Sequence, residues 1–339
     1  MEIIPGTYRR HLTGDAAYQS FVPESLWKIS EEKQSDGILW HKNSEIVSAA
    51  DSVQEKILQL NEEWRFHSPE ERGILLDQLL RQETEASVLM AYPRQASTPA
   101  FGFPMPDLSS ITEVSGWDPM GSFINTADAY CPSVEEVPEV LRPMAEEDIE
   151  NLYYAGRQGI ELLEKLPLSG RLLKELHYIA LYAGHYDKMY RGEFRRSPVW
   201  IGEDGMDLRS ASFIPPVEED MDNAFSDLEK FLHYQESADP IVKAALVHYQ
   251  FETIHPFIDG NGRLGRLFSL LYLKEACEAE CPWILLSPVM LQGIDRYYKE
   301  IRTVQLYGDY PRWTLWFFGV LKEAITRTIE AVRHGSGLS

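Results

Sequence analysis

Residues 255–266 read His-Pro-Phe-Ile-Asp-Gly-Asn-Gly-Arg-Leu-Gly-Arg and sit between two stretches of helical periodicity. Upstream, Pro240 to Ile254 carries Ile241, Ala244, Ala245, Val247 and Tyr249 at helical spacing, and Gly262 to Glu280 also reads as helix. The chain must therefore pass from one helix to the next through a short segment holding a base, a carboxylate, an amide and two arginines. Gly260 and Gly262 permit positive φ and close approach, so successive backbone N–H groups can turn toward an anion. A helix N-terminus follows, where the dipole favours phosphate. Arg263 and Arg266 are three residues apart and share one helix face, so both guanidinium forks can reach the same polyphosphate. Asp259 is placed to hold Mg²⁺ against phosphate oxygens, and His255 can accept a proton from an attacking hydroxyl.

The same letters admit other readings. Gly260 to Gly265 spells G-x-G-x-x-G, but a dinucleotide site needs a buried strand before it, and the preceding segment is helical. A calcium-loop reading fails because Arg263 stands at the third ligand position. The chain contains neither G-x-x-x-x-G-K-[ST] nor H-E-x-x-H. Taken singly, His255 would read as a satisfied core histidine and the arginines as solvated ion pairs. Their arrival together, in this order, favours a functional cluster.

With 339 residues and 44% hydrophobic content, the chain can bury a sizeable core and is expected to form two domains. A formal charge of -21, from 32 basic and 53 acidic residues, argues against a nucleic-acid surface. Cys131, Cys277 and Cys281 read as reduced thiols, the last two buried, and not as a metal site. Residues 1–15 lack a signal-peptide core and no run reaches membrane-spanning length, so a soluble, cytoplasmic protein with no membrane partner is expected.

Along the chain, Ile46–Trp64 and Glu70–Met90 repeat apolar residues at helical spacing after a mixed opening segment. Residues 93–145, rich in Pro, Gly and Ser, read as a long irregular connection. Further helices are expected over Glu146–Leu166, Ser169–Tyr186, Glu218–Tyr234, Pro240–Ile254, Gly262–Glu280, Val289–Val304 and Pro311–Arg333. Residues 198–216 suggest a β-hairpin around a Gly- and Asp-rich turn. The division is 1–145, an N-terminal helical region with its connection, and 146–339, the motif-bearing domain.

The 255–266 segment resembles the signature of the Fic family, His-Pro-Phe-x-(Asp/Glu)-Gly-Asn-Gly-Arg-x-x-Arg, at every specified position. Leu166-Pro167-Leu168, Glu175-Leu176-His177, Gly192-Glu193-Phe194-Arg195 and Tyr297-Tyr298 add to the likeness, which covers roughly 148–318. The resemblance implies a mainly α fold, a Fic-type helical bundle with one small β-hairpin flap, beside the helical N-terminal region. It implies transfer of AMP from Mg-ATP to a Ser, Thr or Tyr hydroxyl of a target protein that docks on the 198–216 hairpin. His255 would be the catalytic base, and Asp259 the Mg²⁺ ligand. Phe257, Gly260, Asn261, Gly262, Arg263, Arg266 and Tyr298 would bind the nucleotide, with Arg195 bordering its pocket. Gly260, where phosphorylating relatives carry lysine, keeps the chain with the adenylyl group. Removal of AMP, phosphocholine transfer and a vestigial nucleotide-binding module stay open, as does a homodimer.

Many Fic proteins carry an inhibitory (Ser/Thr)-x-x-x-Glu-(Gly/Asn) helix whose glutamate pairs with the second arginine, here Arg266. Glu83 to Tyr92 fits an N-terminal version until Ala91 and Tyr92 replace Glu-Gly. Ser109–Glu113 and Thr326–Glu330 have the spacing in other contexts.

Overall fold

A computed structural model describes residues 6–13, 16–32, 43–92, 133–182, 189–202, 206–236 and 238–335. The chain opens with an antiparallel hairpin, β1 (Gly6–Thr13) and β2 (Ala16–Pro23), in which Gly6 pairs with Pro23 and Thr13 with Ala16. Three helices follow, α1 (Leu26–Glu32), α2 (Ser44–Arg65) and α3 (Pro69–Leu89). After a short 3₁₀ turn (Val134–Glu136) come α4 (Arg142–Leu163), α5 (Gly170–Ala180) and α6 (Glu218–Tyr234). The last five are α7 (Pro240–Ile254), α8 (Asn261–Ala276), α9 (Leu286–Gln292), α10 (Ile294–Tyr307) and α11 (Tyr310–Gly335). None of the described helices is long and apolar enough to cross a membrane.

Local chemistry sets the helix starts. Asn43 caps α2 by accepting from the Glu45 and Ile46 N–H groups, and Ser68 with Glu71 closes a capping box ahead of Pro69. Asp239 caps α7 in the same way, with Pro240 in the first turn where no N–H is needed. Ser169 caps α5.

The centre of the fold is α7, whose residues 241–251 are buried without a break. A helix buried on every side must satisfy its polar groups within the protein. Lys243 donates to the carbonyls of Leu232 (2.7 Å) and Gln235 (3.0 Å), closing the end of α6. Gln250 donates to the Glu24 carbonyl at 2.9 Å. The Trp313 indole of α11 donates to the Ala245 carbonyl at 2.8 Å. His248 is fully buried; its ring nitrogens meet the Ser269 hydroxyl at 2.9 Å and the Tyr297 hydroxyl at 3.1 Å, and burial pulls its pKa down to about 3. Around α7 one hydrophobic cluster draws residues from α2, α3, α4, α8 and α11. Helix α11 packs on α2, and α3 packs on α4 and α9.

The mainly helical reading holds, with three differences of detail. The two-stranded sheet lies at residues 6–23, a region whose sequence looks merely mixed. Residues 198–216 double back with only an Ile201–Phe213 bridge among the described residues. The helix expected over Val289–Val304 is two, α9 and α10, broken at Gly293. Cys277 and Cys281 are buried free thiols that burial pushes up to about 12, while Cys131 lies outside the described residues.

Helices α7 and α8 approach closely because Gly265 has no side chain. A Cβ there would stand 2.2 Å from Glu252 Oε1 and 2.9 Å from the Phe251 ring. Gly265→Ala is expected to force the helices apart and destabilise the fold by about 1–3 kcal/mol, lowering Tm by several degrees in a thermal melt. An unchanged melting curve would contradict this packing.

Candidate active site

Two residues of positive φ shape the junction between α7 and α8. His255 ends α7 at φ 52°, ψ 60°, and Gly260 precedes α8 at φ 76°. Holding a non-glycine residue in this region costs energy, so the surroundings must over-determine it. Arg195 does so. Its backbone N–H donates to the Pro256 carbonyl at 2.9 Å, and its Nε donates to the His255 carbonyl at 2.7 Å. The remaining guanidinium nitrogens donate to the carbonyls of Ile254, Pro216 and Ser197. Arg195 is 1% exposed, and burial pulls it down to about 10, still protonated near neutrality. Its side chain is thus engaged on main-chain carbonyls around the end of α7.

The His255 ring is partly exposed, and Nδ1 lies 3.2 Å from the Glu252 carbonyl. A carbonyl can only accept, so Nδ1 carries the proton and Nε2 carries the lone pair. Burial of the ring lowers its pKa to about 4, with the charge of Arg195 acting in the same direction and the Glu252 carbonyl against it. The imidazole is accordingly neutral near pH 7.

Asn261 ties the loop into a closed unit. Its Oδ1 accepts from the Phe257 N–H at 2.8 Å and its Nδ2 donates to the Phe257 carbonyl at 2.9 Å. The Phe257 ring enters the core, stacked on His177 at 4.0 Å and meeting Phe194 edge-on at 5.2 Å. Phe257 therefore anchors the loop by its ring. Asp259 stands at the rim, its side chain 58% exposed, accepting from the Gly260 N–H at 2.5 Å. A Cβ on Gly260 would meet Leu181 at 2.7 Å, and one on Gly262 would stand 3.1 Å from an Arg266 terminal nitrogen. Both glycines keep side-chain bulk away from the turn.

The two arginines share a face but are held by different helices. Arg263 pairs with Asp148 of α4 at 2.9 Å, both nearly inaccessible, and reaches toward Asp259 at 3.6 Å. The Tyr92 hydroxyl donates to the same Asp148 oxygen at 2.8 Å. Arg266 turns to α3, where Nε donates to the Ser87 hydroxyl (2.9 Å) and a terminal nitrogen to the Ser87 carbonyl (2.7 Å). The charge of Arg266 acts on two buried carboxyls, Glu83 and Glu252, which burial raises to about 7 each. Glu83 accepts from the Ser287 N–H and hydroxyl. Tyr298, half-buried against Tyr297 at 5.1 Å, feels the charges of both Arg266 and Glu252.

The structure thus gathers His255, Phe257, Asp259, Gly260, Asn261, Gly262, Arg263 and Arg266 on one helix–loop–helix unit. His177, Asp148, Ser87, Glu83 and Glu252 complete its surroundings. Of these, His177, Ser87 and Glu83 stand in tracts that the family resemblance picks out, whereas Asp148 and Glu252 lie in expected helices with no spacing rule that links them to the motif. Ala91 is exposed just past α3, Glu330 is exposed on α11 beside Arg333, and Ser109–Glu113 lies outside the described residues.

A family model described as Fic/DOC family matches residues 167–273. The protein adenylyltransferase Fic of Drosophila willistoni is 38% identical over 117 residues, covering 34% of this chain and 21% of that protein. The Drosophila melanogaster protein of the same name is 36% identical, covering 34% of this chain and 22% of its own length. The chain thus spans about a fifth of the length of the curated relatives it matches. A Fic family protein from Desulfovibrio desulfuricans has a similar fold, with TM-score 0.56, 19% identity and coverage of 84% of this chain and 75% of that one. A Fic domain containing signaling protein from Bacteroides thetaiotaomicron gives TM-score 0.51 at 17% identity, covering 82% of this chain and 97% of its own. Over residues 167–273 the chain is similar to the Fic/DOC family, and its fold resembles that of solved Fic proteins.

Proposed function

We propose that this chain transfers AMP from ATP onto a hydroxyl of a target protein and releases pyrophosphate. The observation that carries the reading is the neutral His255 ring, its Nδ1–H committed to Glu252, beside a glycine loop opening α8. The names of the curated relatives support the same reading.

In the proposed step the target hydroxyl oxygen attacks the α-phosphorus and a new P–O bond forms. The bond from the α-phosphorus to the bridging oxygen breaks in line, and pyrophosphate leaves with the electron pair. The hydroxyl proton passes to His255 Nε2. Backbone N–H groups at Gly260 and Gly262, aided by the start of α8, stabilise the charge on the α-phosphate. Arg263 and Arg266, held by Asp148 and Ser87, supply positive charge on the side of the outer phosphates, and Tyr298 closes the Arg266 side.

Asp259 suits a nucleotide-borne Mg²⁺: it is a single exposed carboxylate at the loop rim, and this ion is commonly held by one or two carboxylates plus phosphates. Bound there, the ion would neutralise charge on the phosphate oxygens. The target segment is proposed to dock on the 198–216 region, where the backbone paired at Ile201 and Phe213 can accept an incoming strand.

Intact-mass spectrometry after incubation with Mg-ATP is expected to show added AMP on the chain or its target. His255→Ala should retain ATP binding and lose transfer by about 10²-fold or more. Full self-modification by that variant would refute the base assignment, and added phosphate or phosphocholine would refute the adenylyl reading.

The depressed pKa of His255 fixes the pH dependence. The neutral ring is the active form, so activity is lost only as pH falls toward about 4. The profile of kcat/KM should be nearly flat from about pH 6 to about pH 8, and a half-point near the ordinary histidine value of about 6.5 would contradict it.

With alanine at 91, where the inhibitory frame places its glutamate, and Ser87 on Arg266, that inhibitory pair is missing and the enzyme is expected to be constitutively active. Ala91→Glu should lower self-modification; a higher rate would count against this.

A further inference from the structure

His177 of α5 lies 82 residues before Asp259 in sequence yet touches the main chain of the loop. It is 1% exposed and every face of its ring is occupied. Its plane stacks on Phe257 with centroids 4.0 Å apart and rings 10° from parallel. Nδ1 accepts from the Gly192 N–H at 2.8 Å, so this nitrogen holds the lone pair. Nε2 then carries the proton and donates to the Asp259 carbonyl at 3.2 Å. Two backbone groups, one a donor and one an acceptor, thus select a single ring tautomer.

The direction of that bond matters for the loop. Among the described residues there is no cis peptide, and in a trans peptide the C=O and N–H point to opposite sides. Drawing the Asp259 carbonyl inward onto His177 turns the N–H of the same peptide, that of Gly260, outward. It points to the side where the exposed Asp259 carboxylate accepts it at 2.5 Å. Gly260 at φ 76° has no side chain to lock this peptide, which is held by the Asp259 carboxylate at its N–H and by His177 at its carbonyl.

We infer that His177 is the positioning residue of the phosphate loop, holding the Asp259–Gly260 peptide in the orientation that presents the Gly260 N–H to a bound nucleotide phosphate. The inference rests on the nucleotide reading proposed above. It assigns His177 no contact with the ligand. Its effect passes through one peptide plane, with Gly192 and Phe257 fixing the ring.

The test compares wild type, His177→Phe and His177→Gln by calorimetric titration with Mg-ATP and with adenosine. Phenylalanine keeps the stack on Phe257 but has no donor, whereas glutamine restores an N–H. The Phe variant should bind Mg-ATP about tenfold more weakly, with adenosine affinity unchanged and Tm within a few degrees of wild type. The Gln variant should recover most of the loss. Equal Mg-ATP affinity in the Phe variant would overturn the inference, as would proportional loss for adenosine or a Gln variant no better than Phe. A wild type that binds no Mg-ATP would instead sink the nucleotide reading, and this inference with it.

A second measurement needs no variant and so survives misfolding of either one. In nitrogen-15 NMR of the wild type, His177 should show the neutral Nε2–H tautomer, and the Gly260 amide signal should move on adding Mg-ATP. A stationary Gly260 signal in the presence of bound nucleotide would overturn the inference.

Discussion

A helix buried on all sides cannot simply stop, because its last carbonyls have lost water and need donors. In this fold Arg195 supplies them at the end of α7, through the carbonyls of Ile254 and His255. Water is not available to an interior helix end, and an orphaned buried acceptor costs about 1–3 kcal/mol. One guanidinium, with donors fanned in a plane, satisfies several acceptors at once and fixes their relative positions. The left-handed backbone of His255 follows, and so does the direction in which its ring leaves the helix.

The same economy governs the start of α8. Arg263 and Arg266 both point into protein, and each is met by a partner from a distant part of the chain: Asp148 on α4 and Ser87 on α3. Breaking a buried pair such as Arg263–Asp148 leaves an uncompensated charge, at a cost of about 3–5 kcal/mol. The arginines therefore bind helices together as well as carrying charge to the loop. Around Arg266, burial raises the Glu83 and Glu252 carboxyls to about 7, while the guanidinium acts on both in the opposite direction.

The helices and the loop were legible because their signals are local. Apolar spacing marked α2, α3 and α7, and the two glycines marked the turn before α8. What sequence could not supply were facts of tertiary placement. Ser87 and Arg266 lie 179 residues apart; the inhibitory-helix resemblance brings that tract to Arg266 through a glutamate at position 91, whereas the contact is made by Ser87. Phe257 illustrates the limit differently: inside a motif of reactive residues it serves the core, because its ring meets His177 and Phe194. The N-terminal hairpin was missed since its alternation is weak, with most of the side chains described on β1 exposed. The 198–216 segment shows the converse, where strand-like composition yields a single bridge.

That segment is not isolated. The Phe21 N–H of β2 donates to the Ile214 carbonyl at 2.8 Å, and the Phe21 ring lies 5.9 Å from Phe213. Phe213 in turn exchanges both backbone bonds with Ile201. Its inner flank is thereby filled by the opening hairpin of the same molecule. Because neighbouring residues of an extended chain direct their peptide groups to alternate sides, Trp200 and Gly202 face the other way. Any foreign strand that aligns with this ribbon must enter along one border alone, so its approach has a built-in handedness.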